Sequence, residues 1–216
     1  MIFSDRRAAG RQLAVGLKHL KGSRLLVAGL PRGGVPVAYE IALALEAPLD
    51  VLVVRKLGSP HQPELAIGAL AFGLEEPILY EELLERIPVP REHLFRELAE
   101  ARREAARQNR LFREGRPAPE VAGRTVVVAD DGLATGMTAR AALEALRRLQ
   151  ARRLVVAVPV AAPQSVSALA GLADEVACLS QPEEFSSVSA HYADFSPTTD
   201  EEVVALLAEA RKRFIL

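Results

Sequence analysis

The sequence predicts an α/β fold: a central, mostly parallel sheet with helices on both faces and a small lid region beside it. Three observations predict it. Short aliphatic runs alternate with longer helical runs along most of the 216 residues, the pattern of a sheet wound through crossover helices. The runs Leu25–Leu30 (LLVAGL), Val126–Val128 and Arg153–Val160 (RLVVAVPV) are apolar almost throughout, as strands buried on both faces are. Two of these strands end in a Gly-rich turn that opens a helix, and ligand loops of such sheets gather at the strands' carboxyl ends.

The bounds are consistent with one domain over residues 1–216. Half of the residues are hydrophobic, enough to bury a proper core. A net charge of −1 gives no electrostatic case for nucleic acid. No run has the apolar length of a membrane helix, and the start, MIFSDRRAAGRQ, lacks a signal peptide's apolar core. Cys178 is the only cysteine, so no internal disulfide can form and a cytoplasmic setting is expected. It reads as a small apolar filler at a strand end. Cationic charge is carried mostly by Arg, Asn109 is the only asparagine and Trp is absent, which suits a heat-adapted source or a GC-rich genome equally.

In order along the chain, Ser4 is positioned to cap a helix running to about Leu20, with Leu13 and Leu17 on one face. The strand Leu25–Leu30 then leads into Pro31-Arg32-Gly33-Gly34 and a helix over Val35–Leu45. The dinucleotide fingerprint G-x-G-x-x-G is absent here. Leu49–Val54 is a further apolar strand ending at Arg55-Lys56, notable because Lys is scarce in the chain. Leu57–Gly68, rich in Gly and Pro and carrying His61 and Glu64, has few apolar anchors and is expected to be mobile.

Ala66–Phe72 and Pro77–Tyr80 suit a short hairpin. Pro90 opens a long helix to about Arg113. Glu92, Glu97, Glu100 and Glu104 interleave with its arginines, which argues for a solvated, salt-bridged face. A Pro-rich connection, Gly115–Gly123, follows. After the strand Arg153–Val160, Pro163–Leu172 is helical and Glu175–Leu179 is a last short strand. Ser180–Pro197 breaks the alternation and is polar, with Phe185, His191, Tyr192 and Phe195. Thr198 or Thr199 then caps a final helix, Glu201–Phe214, through a capping box.

The most informative stretch is Val126–Ala139, VVVADDGLATGMTA. A buried strand ends in two carboxylates, Asp130 and Asp131. A small, hydroxylated loop follows and then a helical run, Ala139–Leu149. Free loop amides and a helix N-terminus suit a phosphate, to which Thr135 and Thr138 add hydroxyl donors. The acids can accept hydrogen bonds from vicinal hydroxyls or hold a hydrated Mg²⁺. A phosphorylated sugar fits this combination better than a bare phosphate.

This stretch resembles the signature of the type I phosphoribosyltransferases, which bind phosphoribosyl pyrophosphate (PRPP). The resemblance spans about Leu25–Val160 within a core of residues 24–160, and implies a Rossmann-like sheet. It implies that Asp130 and Asp131 bind the ribose hydroxyls, and Mg²⁺ through water and PRPP. Ala134, Thr135, Gly136, Met137 and Thr138 would wrap the 5-phosphate. One departure is Gly132, where the family usually has an aliphatic residue.

Pro31–Gly34 resembles the family's pyrophosphate loop, which carries a non-proline cis peptide; here that is the Pro31–Arg32 bond. Arg32, Gly33, Gly34, Arg55, Lys56 and, once the long loop closes, His61 are then the pyrophosphate partners. Arg32, Lys56, Asp130 and Asp131 are the catalytic candidates. The family's hood, which covers the acceptor, corresponds to residues 1–22 and 180–197. Val158, Phe185, Tyr192 and Phe195 are the acceptor-site candidates, because a flat heterocycle stacks on an aromatic face.

The activity implied is Mg²⁺-dependent transfer of the phosphoribosyl group from PRPP to a nitrogen acceptor, with a nucleobase of nucleotide salvage the first choice, in a homodimer. The rival is a PRPP-sensing regulator of the same fold that does not turn over. Near-neutral charge and an intact Pro31–Gly34 loop favour the enzyme.

Overall fold

The computed structural model describes residues 1–22, 24–62 and 65–214. Its helices are α1 (Arg6–Gly16), α2 (Gly34–Leu45), α3 (Glu81–Leu84), α4 (Arg91–Arg113), α5 (Met137–Arg148), α6 (Pro163–Leu169) and α7 (Asp200–Arg213). The central sheet is parallel and contains β1 (Leu25–Gly29), β2 (Leu49–Val51), β6 (Thr125–Ala129), β7 (Arg153–Val160) and β8 (Glu175–Ser180). They lie in the order β2-β1-β6-β7-β8. A separate antiparallel sheet holds β3 (Val54–Gly58), β4 (Ala66–Ala71) and β5 (Ile78–Leu79).

Alternation along each strand divides the core into two layers. Val27, Val127 and Val155 face α1, α2 and α7, meeting Leu13, Ile41 and Leu207. Leu26, Val126, Val128, Leu154 and Val156 face the other way, onto Leu143 and Leu146 of α5 and Leu169 of α6. Ala139, Ala142, Leu143 and Leu146 recur at helical spacing and face the central sheet, while Ala145, on an adjacent stripe, packs against Ala66, Ala71 and Ile78 of the small sheet. With both faces covered, the strands are the uninterrupted apolar runs of the sequence.

From β1 the chain passes to β2 on one side, whereas β6, β7 and β8 extend to the other. The order therefore switches between β1 and β6, where open α/β sheets bind ligands. These two strands run in step, from Leu25 opposite Thr125 to Gly29 opposite Ala129. Their outgoing loops consequently start side by side.

Four expectations need correction. The Leu49–Val54 strand is two strands: β2 stops at Val51, and the chain leaves the core sheet to resume as β3 in the other one. A buried ion pair braces the outer edge of β2 where it stops. Asp50 and Arg113 side chains are each only 9% exposed and meet at 3.0 Å, and Arg113 Nη2 also donates to the Val51 carbonyl at 2.7 Å. Arg55 and Lys56 therefore lie within β3, not at a core strand's end.

The second correction concerns Leu57–Gly68. Leu57 and Ile67 are fully buried, and β3 pairs with β4 from Val54 opposite Ala71 to Gly58 opposite Ala66. Glu97 and His93 of α4 bond the Gly58 amide and carbonyl at 3.0 and 2.9 Å. The stretch is thus an anchored hairpin; Pro63 and Glu64 lie outside the described residues. The hairpin expected from Ala66–Phe72 and Pro77–Tyr80 forms as β4 and β5.

Third, Asp5, not Ser4, caps α1, accepting from the Ala8 amide at 2.7 Å; the helix begins one residue later than expected and a carboxylate is the stronger acceptor. At the other end of the chain Thr199, one of the two expected caps, accepts from the Glu202 amide at 3.1 Å and opens α7. Fourth, the helix expected over Pro163–Leu172 ends at Leu169.

The ion pair makes a testable demand on stability. Asp50→Ala leaves a buried guanidinium unpaired, which destabilises by about 3–5 kcal/mol. Asp50→Leu combined with Arg113→Met should recover most of that loss. Chemical denaturation of the two variants checks both.

Candidate functional site

Asp130 and Asp131 follow β6 directly, where the strands on either side still hold the backbone. The Asp130 amide donates to the Ala157 carbonyl of β7 at 3.3 Å. The Asp131 amide donates to Asp130 Oδ1 at 2.9 Å, which fixes the Asp130 carboxylate against the chain. Burial pushes the Asp130 carboxyl well above its usual range, and the neighbouring Asp131 charge raises it further. Burial also raises Asp131, while the hydrogen bond and charge of Arg6 pull it back. Arg6 Nε meets Asp131 Oδ2 at 2.8 Å, with the two side chains 11% and 16% exposed.

The turn after β1 presses against this pair. Its Pro31–Arg32 peptide is cis, as the resemblance implies. A Cβ on Gly33 would collide with Asp131 Oδ2, and one on Gly34 would lie 2.5 Å from the Ala129 carbonyl. Only glycine fits at either position, so the two loops share a backbone-to-carboxylate contact. Arg32 leaves the turn half-exposed, its Nη1 3.6 Å from Asp200 at the start of α7.

The loop to α5 is fixed from below. Leu133 donates to the Val160 carbonyl and accepts from the Ala162 amide, both at 2.9 Å, and Ser165 Oγ donates to the Ala134 carbonyl at 2.6 Å. Gly136 caps α5 at φ +70°. The amides of the helix's first turn have no carbonyl one turn behind them. Met137 donates weakly to Thr135 Oγ1 at 3.5 Å, and the Tyr80 hydroxyl reaches the Met137 carbonyl at 3.4 Å. Ala134 and Thr135 are exposed, Met137 and Thr138 half-buried. The arrangement is an exposed helix N-terminus beside two carboxylates, a geometry that suits an anion.

Gly132 has a structural explanation. A Cβ there would meet Val188 Cγ1 at 2.6 Å and Val160 Cγ1 at 3.1 Å. Val188, from the 180–197 segment, thus fills the space that an aliphatic residue at 132 would take.

The two expected hood segments do come together. Phe3 forms a parallel bridge with Tyr192, and Phe3, Ala9, Val160 and Tyr192 form a small core with Phe185, Val188 and Phe195. Tyr192 lies between Phe3 and Phe195, with ring centroids 5.6 and 5.0 Å away. Its hydroxyl donates to the Asp131 carbonyl at 2.6 Å, and burial drives its pKa upward. Tyr192 is 7% exposed and Val158 fully buried, so neither offers a face to a ligand. Phe195 lies under the Arg6 guanidinium, 3.8 Å from it, and Phe185 stacks on His191. Tyr192 is thus packing that supports the acid pair, while Phe185 and Phe195 are partly exposed beside it.

Lys56 and His61 are exposed, and among the described residues their side chains make no hydrogen bond or ion pair. Arg55 is half-buried on β3. The structure brings together Arg32, Gly33, Gly34, Asp130, Asp131 and the loop to α5, while the side chains of Lys56 and His61 bond to none of them. Arg6 is the residue that sequence reading missed. Its spacing does not set it apart from Arg7 or Arg11; the Phe3–Tyr192 bridge is what aims it.

The acid pair should cost the fold stability. Both carboxyls have pKa values above those of an unfolded chain, so the folded state binds more protons between the two values, and stability falls as pH rises through that window. Asp130→Asn removes this cost and keeps an oxygen for the Asp131 amide. It should raise Tm at pH 7, by about 2–4 °C for each kcal/mol gained, and flatten the decline above the carboxylate range. Asp131→Asn should gain less, because Arg6 loses its anion. Thermal melts across pH check the order.

Comparison with known proteins accords with this geometry. The family model described as a phosphoribosyl transferase domain matches residues 6–193. Two Mycobacterium tuberculosis proteins, from strains CDC 1551 and H37Rv, carry provisional phosphoribosyl transferase names and are 46% identical over 99% of this chain. This chain spans about half, 48%, of their length. The crystal structure of TT1426 from Thermus thermophilus superposes with a TM-score of 0.85 at 45% identity, covering 97% of this chain and 99% of that one. AQ2163 from Aquifex aeolicus shares the fold at a TM-score of 0.51 and 13% identity, over 94% of this chain and 86% of that one. No helix among the described residues is long and apolar enough to cross a membrane. With its signature loops meeting at the sheet's switch point and the family model spanning most of its length, the chain belongs to the phosphoribosyl transferase domain family.

Proposed function

We propose that this chain binds PRPP and transfers its phosphoribosyl group to a nitrogen of a small acceptor, a nucleobase by the sequence reading, releasing pyrophosphate. One observation carries the reading: the Pro31–Gly34 turn, the Asp130–Asp131 pair and the N-terminus of α5 converge, with Gly33 in contact with Asp131. The α5 loop then takes the 5-phosphate, the acids take the ribose hydroxyls, and the Arg32 turn takes the pyrophosphate. Displacement at C1 has an oxocarbenium-like transition state, so these groups act by position and charge. Lys56, Arg55 and His61 remain pyrophosphate candidates by the sequence reading.

Mg²⁺ fits the donor set. No group of three or more His, Cys, Asp or Glu that could hold a metal occurs among the described residues. Two adjacent carboxylates suit an ion otherwise held by substrate oxygens and water. Bound there by Asp130 and Asp131, it would neutralise phosphate charge.

For the acceptor we favour an open polar cavity of about 550 Å³ lined by Arg6, Arg7, Arg11, Ser196, Thr198 and Glu202, among others. It adjoins Arg6, which touches Asp131, and its size is in the range of small-molecule sites. The aromatics Phe185, Tyr192 and Phe195 would support this wall. A homodimer in the cytoplasm completes the proposal.

A second reading, PRPP sensing without turnover, is favoured by the same Arg6 contact. Arg6 already bonds Asp131 Oδ2, so a ribose hydroxyl engaging that carboxylate would bear directly on the start of α1, a coupling that a sensor could transmit.

Asp131→Asn should weaken PRPP binding about tenfold or more in calorimetry, since a charged acceptor is lost. Wild-type affinity should fall on acidification at a pH above the usual carboxylate range, as the raised pair protonates. Unchanged affinity in the variant would refute the ribose assignment. Pyrophosphate release from PRPP with pooled nucleobases decides between enzyme and sensor.

A further inference from the structure

We propose that Arg107, on α4, is a second pyrophosphate-binding arginine, and that Asp200 occupies its place and that of Arg32 until the ligand arrives. The inference rests on the reading above that the Arg32 turn receives pyrophosphate.

Arg107 is aimed, not loose. Its Nε and Nη2 each donate to the Glu104 carboxylate at 2.8 Å, a two-pronged grip that fixes the plane of the guanidinium. This leaves Nη1 pointing at Asp200 Oδ2, 3.8 Å away. Arg32 Nη1 approaches the other oxygen, Oδ1, at 3.6 Å. Two guanidinium groups from different segments thus converge on one carboxylate. Arg55, on β3, adds its positive charge from beyond Glu104.

The magnitudes favour exchange. Arg32 and Arg107 are 51% and 54% exposed, and both contacts are long. Exposed pairs of this kind are screened by solvent and hold their partners only weakly. A pyrophosphate carries more charge than one carboxylate and presents several oxygens, so it outcompetes Asp200 for two arginines already gathered. Asp200 starts α7, where the helix N-terminus favours the carboxylate in either state. The sequence gives no hint of this: Arg107 is one of many arginines on a helix that reads as a solvated face.

The test is titration of inorganic pyrophosphate, with and without magnesium chloride, into wild type, Arg32→Gln, Arg107→Gln, Arg107→Lys and Asp200→Asn. Ribose 5-phosphate is the control ligand, and melts report folding. Arg32→Gln and Arg107→Gln should each weaken pyrophosphate about tenfold, as loss of a charged hydrogen bond does. Arg107→Lys should recover part of the loss, and Asp200→Asn should bind several-fold tighter. Ribose 5-phosphate affinity should not move. Loss of affinity in Arg32→Gln alone overturns the role of Arg107 and leaves the pyrophosphate reading intact. Weaker binding by Asp200→Asn overturns the placeholder. If Arg107→Gln loses ribose 5-phosphate as well, its effect is on the fold and the inference falls. Absence of pyrophosphate binding in wild type removes the underlying reading itself.

Discussion

The contact between Gly33 and the Asp131 carboxylate constrains more of this molecule than any other. It requires β1 and β6 to be neighbours in parallel register, so that the loops leaving Gly29 and Ala129 start level. It requires the absence of a side chain at 33 and 34. It also requires a carboxylate to remain at a sheet end where burial disfavours its charge, a cost that the ion pair with Arg6 partly offsets. Much of what surrounds the site serves that arrangement. The Phe3–Tyr192 bridge delivers Arg6, Phe195 supports its guanidinium, and the Tyr192 hydroxyl fixes the Asp131 backbone.

How much of this was legible in the sequence follows from the range of the interactions. The core strands, the Gly-Gly turn and the acid pair are local; that the turn is cis followed from the family resemblance. Three consecutive valines, two glycines after a strand and two adjacent acids carry their meaning within a few residues. The larger corrections involve partners far apart in the chain. Arg113 braces the end of β2 from a distant helix, and α4 anchors the β3–β4 hairpin that composition alone suggested would be mobile. Periodicity predicts which residues are buried but not what they bury against. Tyr192 is the clearest case. Its aromatic ring in a polar segment suggested an open stacking face, yet that ring forms the centre of a small core.

Charge is used twice, at different depths. Asp50 with Arg113, and Asp131 with Arg6, are enclosed pairs in which each member is needed to neutralise the other. The surface arginines of α4, by contrast, make contacts that solvent screens and that can rearrange at little cost. One sequence pattern, an arginine near an acid, therefore gives rigid joints inside the molecule and adaptable ones at its rim. Only burial distinguishes them.

The fit of Val188 into the space above Gly132 has a consequence for recombination among related chains. The 180–197 segment and the loop beside it divide one fixed volume: here the segment supplies the aliphatic group at Val188 and the loop supplies none. A segment with a small residue at 188 would leave a void over Gly132, and this segment placed over an aliphatic residue at 132 would collide. The two positions must travel together, and the pair of residue sizes at 132 and 188 marks which segments are interchangeable.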